Sequence, residues 1–137
     1  MSYQFSILEH PADIKLKILA STKEDLFKGA LEGMASIIAD SQDITKEPIE
    51  KTIEIFSLEE NTLLIDFLSE VLTQTDICNS VFLEIEIKEL TNQKIAGKIK
   101  GWKVKRFKEE IKAVTYHGVN IIKNKQGFWE AIILFDV

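Results

Sequence analysis

The sequence predicts an α+β domain in which two amphipathic helices pack on a mixed or antiparallel sheet. Two segments repeat apolar residues at helical spacing, and several others alternate apolar and charged residues with a period of two. Short polar turns join most of these alternating segments, as in hairpins. Because the 137 residues contain no linker or low-complexity stretch, we expect a single domain over residues 1–137.

Alternation and turn residues define the strands. The first two meet at a corner, His10-Pro11-Ala12-Asp13, because proline cannot donate a ladder hydrogen bond. The last strand is apolar, apart from Glu130 near its start, and ends on an acid in Phe135-Asp136-Val137. The predicted strands are 3–10, 13–20, 49–58, 81–90, 94–103, 111–124 and 128–137.

Capping residues and apolar periodicity define the helices. The first is predicted from Thr22 to Ala39, after a capping box in which Ser21 precedes Glu24 by three residues. The second is predicted to be capped at Asn61-Thr62 and to run to residues 75–78, with its apolar residues on one side.

Composition excludes several classes of protein. The net charge of −5 is unlike that of a stand-alone nucleic-acid binder, so we expect no stable nucleic-acid binding by this chain alone. The single Cys78 excludes an internal disulfide framework and fits a reducing, cytoplasmic setting. We read no signal peptide at the start and no apolar run of the ~20 residues that span a bilayer. A small ligand, a metal or a protein partner is therefore expected.

Three acids occupy the ends of predicted elements: Asp13 after the proline corner, Asp40 at the helix end and Asp136 at the end of the last strand. Clustered carboxylates need a cation, a shared proton or basic neighbours. Calcium and magnesium prefer such oxygen ligands. From the pattern alone, solvated turn and cap residues remain the favoured interpretation.

His10 and His117 are the only histidines, and Lys112 lies within an apolar segment. Each histidine is a candidate hydrogen-bond donor beside a site or an ordinary strand-end residue. Lys112 could present its ammonium to a phosphate or a carboxylate cluster, or point outward by strand alternation.

A basic segment follows the predicted hairpin. It is either a docking face for phosphate or an acidic partner, or a lysine-rich face that discourages pairing at a sheet edge. Its cations are Lys98, Lys100, Lys103, Lys105, Arg106 and Lys108.

Four stretches together resemble the archease family: residues 10–14, the first helix with Gly33-Met34 leading to Asp40, residues 111–118, and residues 129–137. The run Lys-Ala-Val-Thr-Tyr-His-Gly and the ending Phe-Asp-Val are the specific parts. Two departures are Pro11, where the family usually has threonine, and Lys15, where glycine is common. The segment 102–110 also lacks an expected histidine.

The resemblance implies a cytoplasmic, non-catalytic protein that activates an RtcB-type RNA ligase in tRNA splicing and RNA repair. It implies promotion of ligase guanylylation and turnover, with tRNA or GTP phosphates met only through the ligase. A divalent-cation site is implied on Asp13, Asp136 and the C-terminal Val137, with Asp40 as a further acid and Lys112 as a functional lysine. Calcium is favoured for the isolated protein, with magnesium and manganese as alternatives.

Two other hypotheses belong to different classes. A metal-dependent phosphoesterase or nuclease would use Asp13, Asp40 and Asp136 as ligands. A chaperone-like binding module would expose a sizeable apolar patch, and the regular patterning indicates none.

Overall fold

The computed structural model describes residues 3–9 and 12–137 of the chain. Helix α1 is Lys23–Ile38, helix α2 is Glu60–Cys78, and a short 3-10 turn spans Ser41–Asp43. The strands are β1 (Tyr3–Glu9), β2 (Asp13–Ala20), β3 (Ile44–Phe56), β4 (Ser80–Leu90), β5 (Lys94–Val104), β6 (Ala113–Thr115), β7 (Ile122–Lys123) and β8 (Trp129–Asp136).

The strands form two antiparallel sheets. One has the order β1-β2-β8-β6, with β7 also paired to β8, and the other has the order β3-β5-β4. The predicted α+β class and antiparallel pairing are confirmed, but the expectation of one sheet is wrong. In the described part of the chain, no ladder joins the hairpin of β4 and β5 to the strands around β8.

Helix α1 packs against strands of both sheets. It contacts β1 and β2 of the first sheet and β4 of the second, and ten of its sixteen residues are buried. A Cβ atom at Gly29 would lie 2.9 Å from Ile18 Cγ2, and one at Gly33 would lie 2.6 Å from a Leu16 methyl. The helix therefore runs antiparallel to β2 in close contact, and its C-terminal end approaches the start of β2, at Asp13.

Helix α2 packs beside α1 under the second sheet. The rings of Phe27 on α1 and Phe67 on α2 have centroids 5.6 Å apart, and both side chains are fully buried. No helix in the described residues is long and apolar enough to cross a membrane.

The predicted caps are displaced. The Thr22 hydroxyl, and not that of Ser21, caps α1 by accepting from Asp25 N at 3.1 Å. Helix α2 begins at Glu60, before the predicted cap, and Asn61 Oδ1 instead accepts from Ile121 N at 2.9 Å. The Asn61 side chain, which was predicted to cap the helix, thus forms a tertiary hydrogen bond instead.

Two predicted strands have different bounds. The region 111–124 contains only β6 and β7, because the chain turns between them at Gly118, whose φ of 72° is left-handed. Strand β3 begins at Ile44, ahead of the predicted Ile49, and passes through a register shift between Ile44 and Pro48. Proline is tolerated there because β3 is an edge strand.

Candidate functional site

The ends of β2 and β8 bring two of the predicted acids together. Asp13 is the register partner of Asp136, directly across the antiparallel pair. Their neighbours Ile14 and Phe135 are buried in the core, so strand alternation places both carboxylates on the opposite face of the sheet. Directly opposed residues of this kind have Cβ atoms about 4.5–5.5 Å apart.

Neither carboxylate is neutralised within the described residues. The Oδ1 atom of Asp13 is buried and has no hydrogen-bond partner there, and no ion pair involves Asp13 or Asp136. Like charges directly opposite each other on two strands are destabilising, and a buried carboxylate oxygen needs a donor or a cation. The oxygen donors present here fit a hard divalent cation.

The main chain of Lys112 is hydrogen-bonded to one member of this pair, Asp136. Its N–H donates to the Asp136 carbonyl oxygen at 2.7 Å, and its side chain is exposed. The next residue, Ala113, is the register partner of Asp136 on the side away from Asp13. The row Asp13, Asp136, Ala113 therefore ends in a side chain too small to cover the carboxylates.

Val137 follows the pair and is held in place. Its side chain is half-buried and packs against the hydrophobic core, so this end of β8 is anchored rather than frayed.

Asp40 lies toward the same end of the molecule, because α1 runs antiparallel along β2. Its carboxylate has a basic partner, however: Lys108 Nζ is 3.2 Å from Asp40 Oδ1 and also donates to Ser36 O at 3.0 Å. Asp40 thus differs from Asp13 and Asp136 in being ion-paired.

Of the two histidines, the structure describes only His117, because His10 lies outside the described residues. His117 is exposed in the turn after β6, and β6 runs from Ala113 opposite Asp136 to Thr115 opposite Leu134, away from the acids. In residues 3–9 and 12–137, no three His, Cys, Asp or Glu side chains are grouped so as to hold a metal ion. A cation site at Asp13 and Asp136 would therefore need further ligands, such as water or main-chain oxygen atoms.

The basic segment is partly neutralised within the chain. Strand β5, which carries its first cations, is the central strand of its sheet, so the edge-guarding hypothesis is wrong. The ion pairs are Lys100–Glu86 at 3.3 Å, Lys103–Glu47 at 3.6 Å, Arg106–Asp43 at 3.3 Å and Lys108–Asp40 at 3.2 Å. Docking by this segment stays a prediction.

Sequence reasoning missed a hydrogen-bonded group around Asp66 on α2. Ser57 Oγ donates to Asp66 Oδ2 at 2.5 Å, and the Tyr116 hydroxyl donates to Asp66 Oδ1. The hydrogen bond to the carboxylate raises the pKa of Tyr116. Asp66 and Tyr116 are 50 residues apart, so no local signal could have paired them.

Comparison with known proteins places this arrangement in a family. A model of the Archease protein family (MTH1598/TM1083) matches residues 5–137. The chain belongs to the archease family. It is 30% identical to the archease of Methanosarcina barkeri over 142 residues, which cover 98% of this chain and 96% of that protein. It is 32% identical to the archease of Pyrococcus furiosus over 141 residues, which cover 98% and 99%.

Solved structures share the archease-family fold. The solution structure of Methanobacterium thermoautotrophicum protein 1598 is similar, with a TM-score of 0.71 and 23% identity over 97% of this chain and 98% of that one. The crystal structure of a Thermotoga maritima archease, described as a possible chaperone, has a TM-score of 0.69 and 20% identity over 95% and 94% of the two chains. At these identities the likeness concerns the fold.

Proposed function

We propose that this archease-family protein activates an RtcB-type RNA ligase without catalysing a reaction of its own. The resemblance implies that it promotes guanylylation of the ligase and its repeated turnover. The observation that carries the proposal is the facing pair Asp13 and Asp136, in which a buried carboxylate oxygen has no partner among the described residues. Such a pair suits a cation or a donor that completes it.

The residues that would hold a divalent cation are Asp13, Asp136 and Val137, the last through its terminal carboxylate, as the resemblance implies. All the donors are oxygen atoms, which calcium, magnesium and manganese accept, and calcium tolerates the least regular geometry. A bound cation would supply positive charge to phosphate oxygens, and phosphoryl transfer depends largely on positioning and charge neutralisation.

Lys112 would act beside the acids as a phosphate contact. Its main chain is fixed to Asp136, whereas its side chain is exposed and free to reach outward. Among the described residues, its ammonium has no carboxylate partner, so it remains available to a phosphate group presented by the ligase.

The test is single-turnover guanylylation of a purified RtcB-type ligase with and without this protein. Asp136→Ala and Asp13→Ala should abolish most of the acceleration, whereas Glu130→Ala, on the same strand but distant from the pair, should retain it. Lys112→Ala should weaken it. Acceleration at the wild-type rate by both aspartate variants would overturn the role of the pair.

The phosphoesterase hypothesis has less support. It needs Asp40 as a third ligand, but this carboxylate is paired with Lys108. Hydrolysis of a phosphodiester by the purified protein with manganese, lost in Asp13→Ala, would favour it over the accessory role.

The chaperone hypothesis finds little support on the outer face of the first sheet. Leu8 is exposed there, but its register partner is Lys15, which lies between it and Leu134. Lys17 similarly lies opposite the exposed Ile132. The apolar side chains of neighbouring strands are thus separated by lysines.

A further inference from the structure

A pocket lies where the end of α1, the last turns of α2 and the loop between β5 and β6 meet. Its volume is about 360 Å³, which suits one side chain or a small ligand. Its apolar wall is formed by Ile38, Leu72, Phe107 and Ile111. None of the acids proposed above to hold a cation lines it.

The loop that closes this pocket is fixed to α1. Lys108 N donates to the Ile38 carbonyl oxygen at 2.7 Å, and Lys108 Nζ donates to Ser36 O at 3.0 Å. These bonds satisfy carbonyl groups at the helix end that have no partner within the helix. The pocket is therefore preformed, with Phe107 on one side of the anchored residue and Glu109 on the other.

Three carboxylates line the pocket from two elements: Asp76 on α2, and Glu109 and Glu110 on the loop. In the part of the chain that the structure describes, none of them forms an ion pair. The adjacent Lys108 is engaged by Asp40 and by the α1 carbonyl. The pocket thus combines an apolar wall with uncompensated negative charge.

Thr75 supplies an independent indication of a ligand. It lines the pocket, is only 2% exposed, and its Oγ1 has no hydrogen-bond partner among the described residues. Buried hydroxyl groups are normally hydrogen-bonded. A threonine in a helix has two accessible χ1 rotamers, so this hydroxyl can turn toward a donor that enters the pocket.

We propose that this pocket binds a primary alkylammonium group. The aliphatic stem would lie along Leu72 and Phe107, and the ammonium would donate to Thr75 Oγ1 and to the carboxylates of Asp76 and Glu109. An ammonium is compact and carries three donors that point in different directions, which matches acceptors on two separate elements. The planar fork of a guanidinium instead matches one bidentate carboxylate.

The alkylammonium can come from a free amine or from a lysine side chain of a partner protein. Both present the same stem and head group, and a lysine stem commonly lies along apolar surface while its charge is kept in polar surroundings. This inference does not rest on activation of a ligase.

The test is a titration of the folded protein with hexylamine, followed by amide NMR spectra. We expect saturable shifts at Thr75, Phe107 and Ile111, with much weaker shifts for hexanol, which lacks the charge, and for hexanoate, which reverses it. Glu109→Gln and Asp76→Asn should each weaken binding by about two- to fivefold, the range expected for one accessible ion pair. Glu70→Gln, on α2 but facing another groove, is the matched control and should bind like the wild type.

Thr75→Val separates binding from folding. It removes a hydroxyl that has no partner, so the unliganded variant should melt no lower than the wild type while binding hexylamine more weakly. A titration with Nα-acetyllysine amide distinguishes the sources: binding of this probe at least as tight as that of hexylamine indicates a partner's lysine, and tighter binding of hexylamine indicates a free amine. Absence of saturable shifts with both probes, equal binding of hexanol, or unchanged binding in both carboxylate variants would overturn the proposal.

Discussion

Asp13 and Asp136 face each other across β2 and β8, with no basic side chain paired to either among the described residues. Asp40 and Asp43, by contrast, are paired with Lys108 and Arg106. The repulsion between Asp13 and Asp136 has consequences that can be measured.

Replacing Asp13 with asparagine should have opposite effects with and without a divalent cation. In a chelator, Asp13→Asn should raise the free energy of unfolding by about 0.5 kcal/mol, because it removes one of two like charges that oppose each other. With saturating calcium, the wild type should gain stability, by about 2.7 kcal/mol at a hundred times Kd, and the variant should gain much less.

Thermal unfolding by calorimetry, with chelator and with calcium, measures both effects. Glu130→Gln, on β8, removes one negative charge as Asp13→Asn does. It should change neither the stability in chelator nor the stability gained with calcium. A calcium response in Asp13→Asn as large as that of the wild type would contradict the assignment of Asp13 as a ligand.

The proposed cation site, which includes a terminal carboxylate on Val137, predicts that adding one glycine after Val137 impairs calcium binding and the proposed ligase activation together. The addition converts the carboxylate of Val137 into a neutral amide and moves the negative charge one residue outward, away from the anchored core contact of Val137. Calorimetric titration with calcium should show a large loss of affinity. The same glycine added before Met1 serves as the control, and equal affinities of the two proteins would exclude the terminal carboxylate as a ligand.

The pKa values of the two tyrosines, Tyr3 and Tyr116, should both lie above the usual one. Burial, followed by the hydrogen bond of its hydroxyl to Glu32 Oε2 at 2.5 Å, raises the pKa of Tyr3 from 10.0 to about 12. Since the folded pKa lies above the unfolded one, the stability that Tyr3 contributes is complete below pH 10 and is lost as pH rises toward 12. Glu32→Gln should lower the pKa of Tyr3 toward its usual range.

Tyrosinate absorbance against pH, with unfolding measured over the same range, tests this expectation. Asp66→Asn is the internal control, because it removes the carboxylate that raises the pKa of Tyr116 and leaves Tyr3 unchanged. If the pKa of Tyr3 in Glu32→Gln equals that in the wild type, Glu32 does not contribute to the raised pKa.

Gly101→Ala should destabilise the second sheet. A Cβ atom there would overlap the carbonyl oxygen of Val81 on β4, and a main-chain atom in a paired strand cannot move aside at low cost. We expect a loss of about 3 kcal/mol, the upper part of the usual range for overpacking. Chemical denaturation measures it, with Ala96→Gly on the same strand as a milder comparison. A loss below about 1 kcal/mol would mean that β4 shifts freely.

Local patterns predicted most of the helices and strands, because apolar periodicity and turn-forming residues depend only on residues close together in the sequence. Strand β2 has the predicted bounds, β5 and β8 differ from theirs by a residue or two, and both helices were expected. The prediction of one strand over residues 111–124 was wrong, because apolar residues continue on both sides of a turn and only the left-handed Gly118 marks that turn. The motifs around Lys112 and Asp136 indicated the archease family, and the family match over residues 5–137 confirms it.

The sequence by itself determined that acids stand at the ends of elements, and that the final strand closes on Asp136. Only the tertiary structure decided that Asp136 faces Asp13 while Asp40 is paired with Lys108. The physical reason is that strand register and ion pairing join residues from distant parts of the chain, and no periodicity in either segment specifies the partner of the other. The same holds for the pocket that Thr75 lines, because it brings α2 together with loop residues more than 30 positions further along the chain.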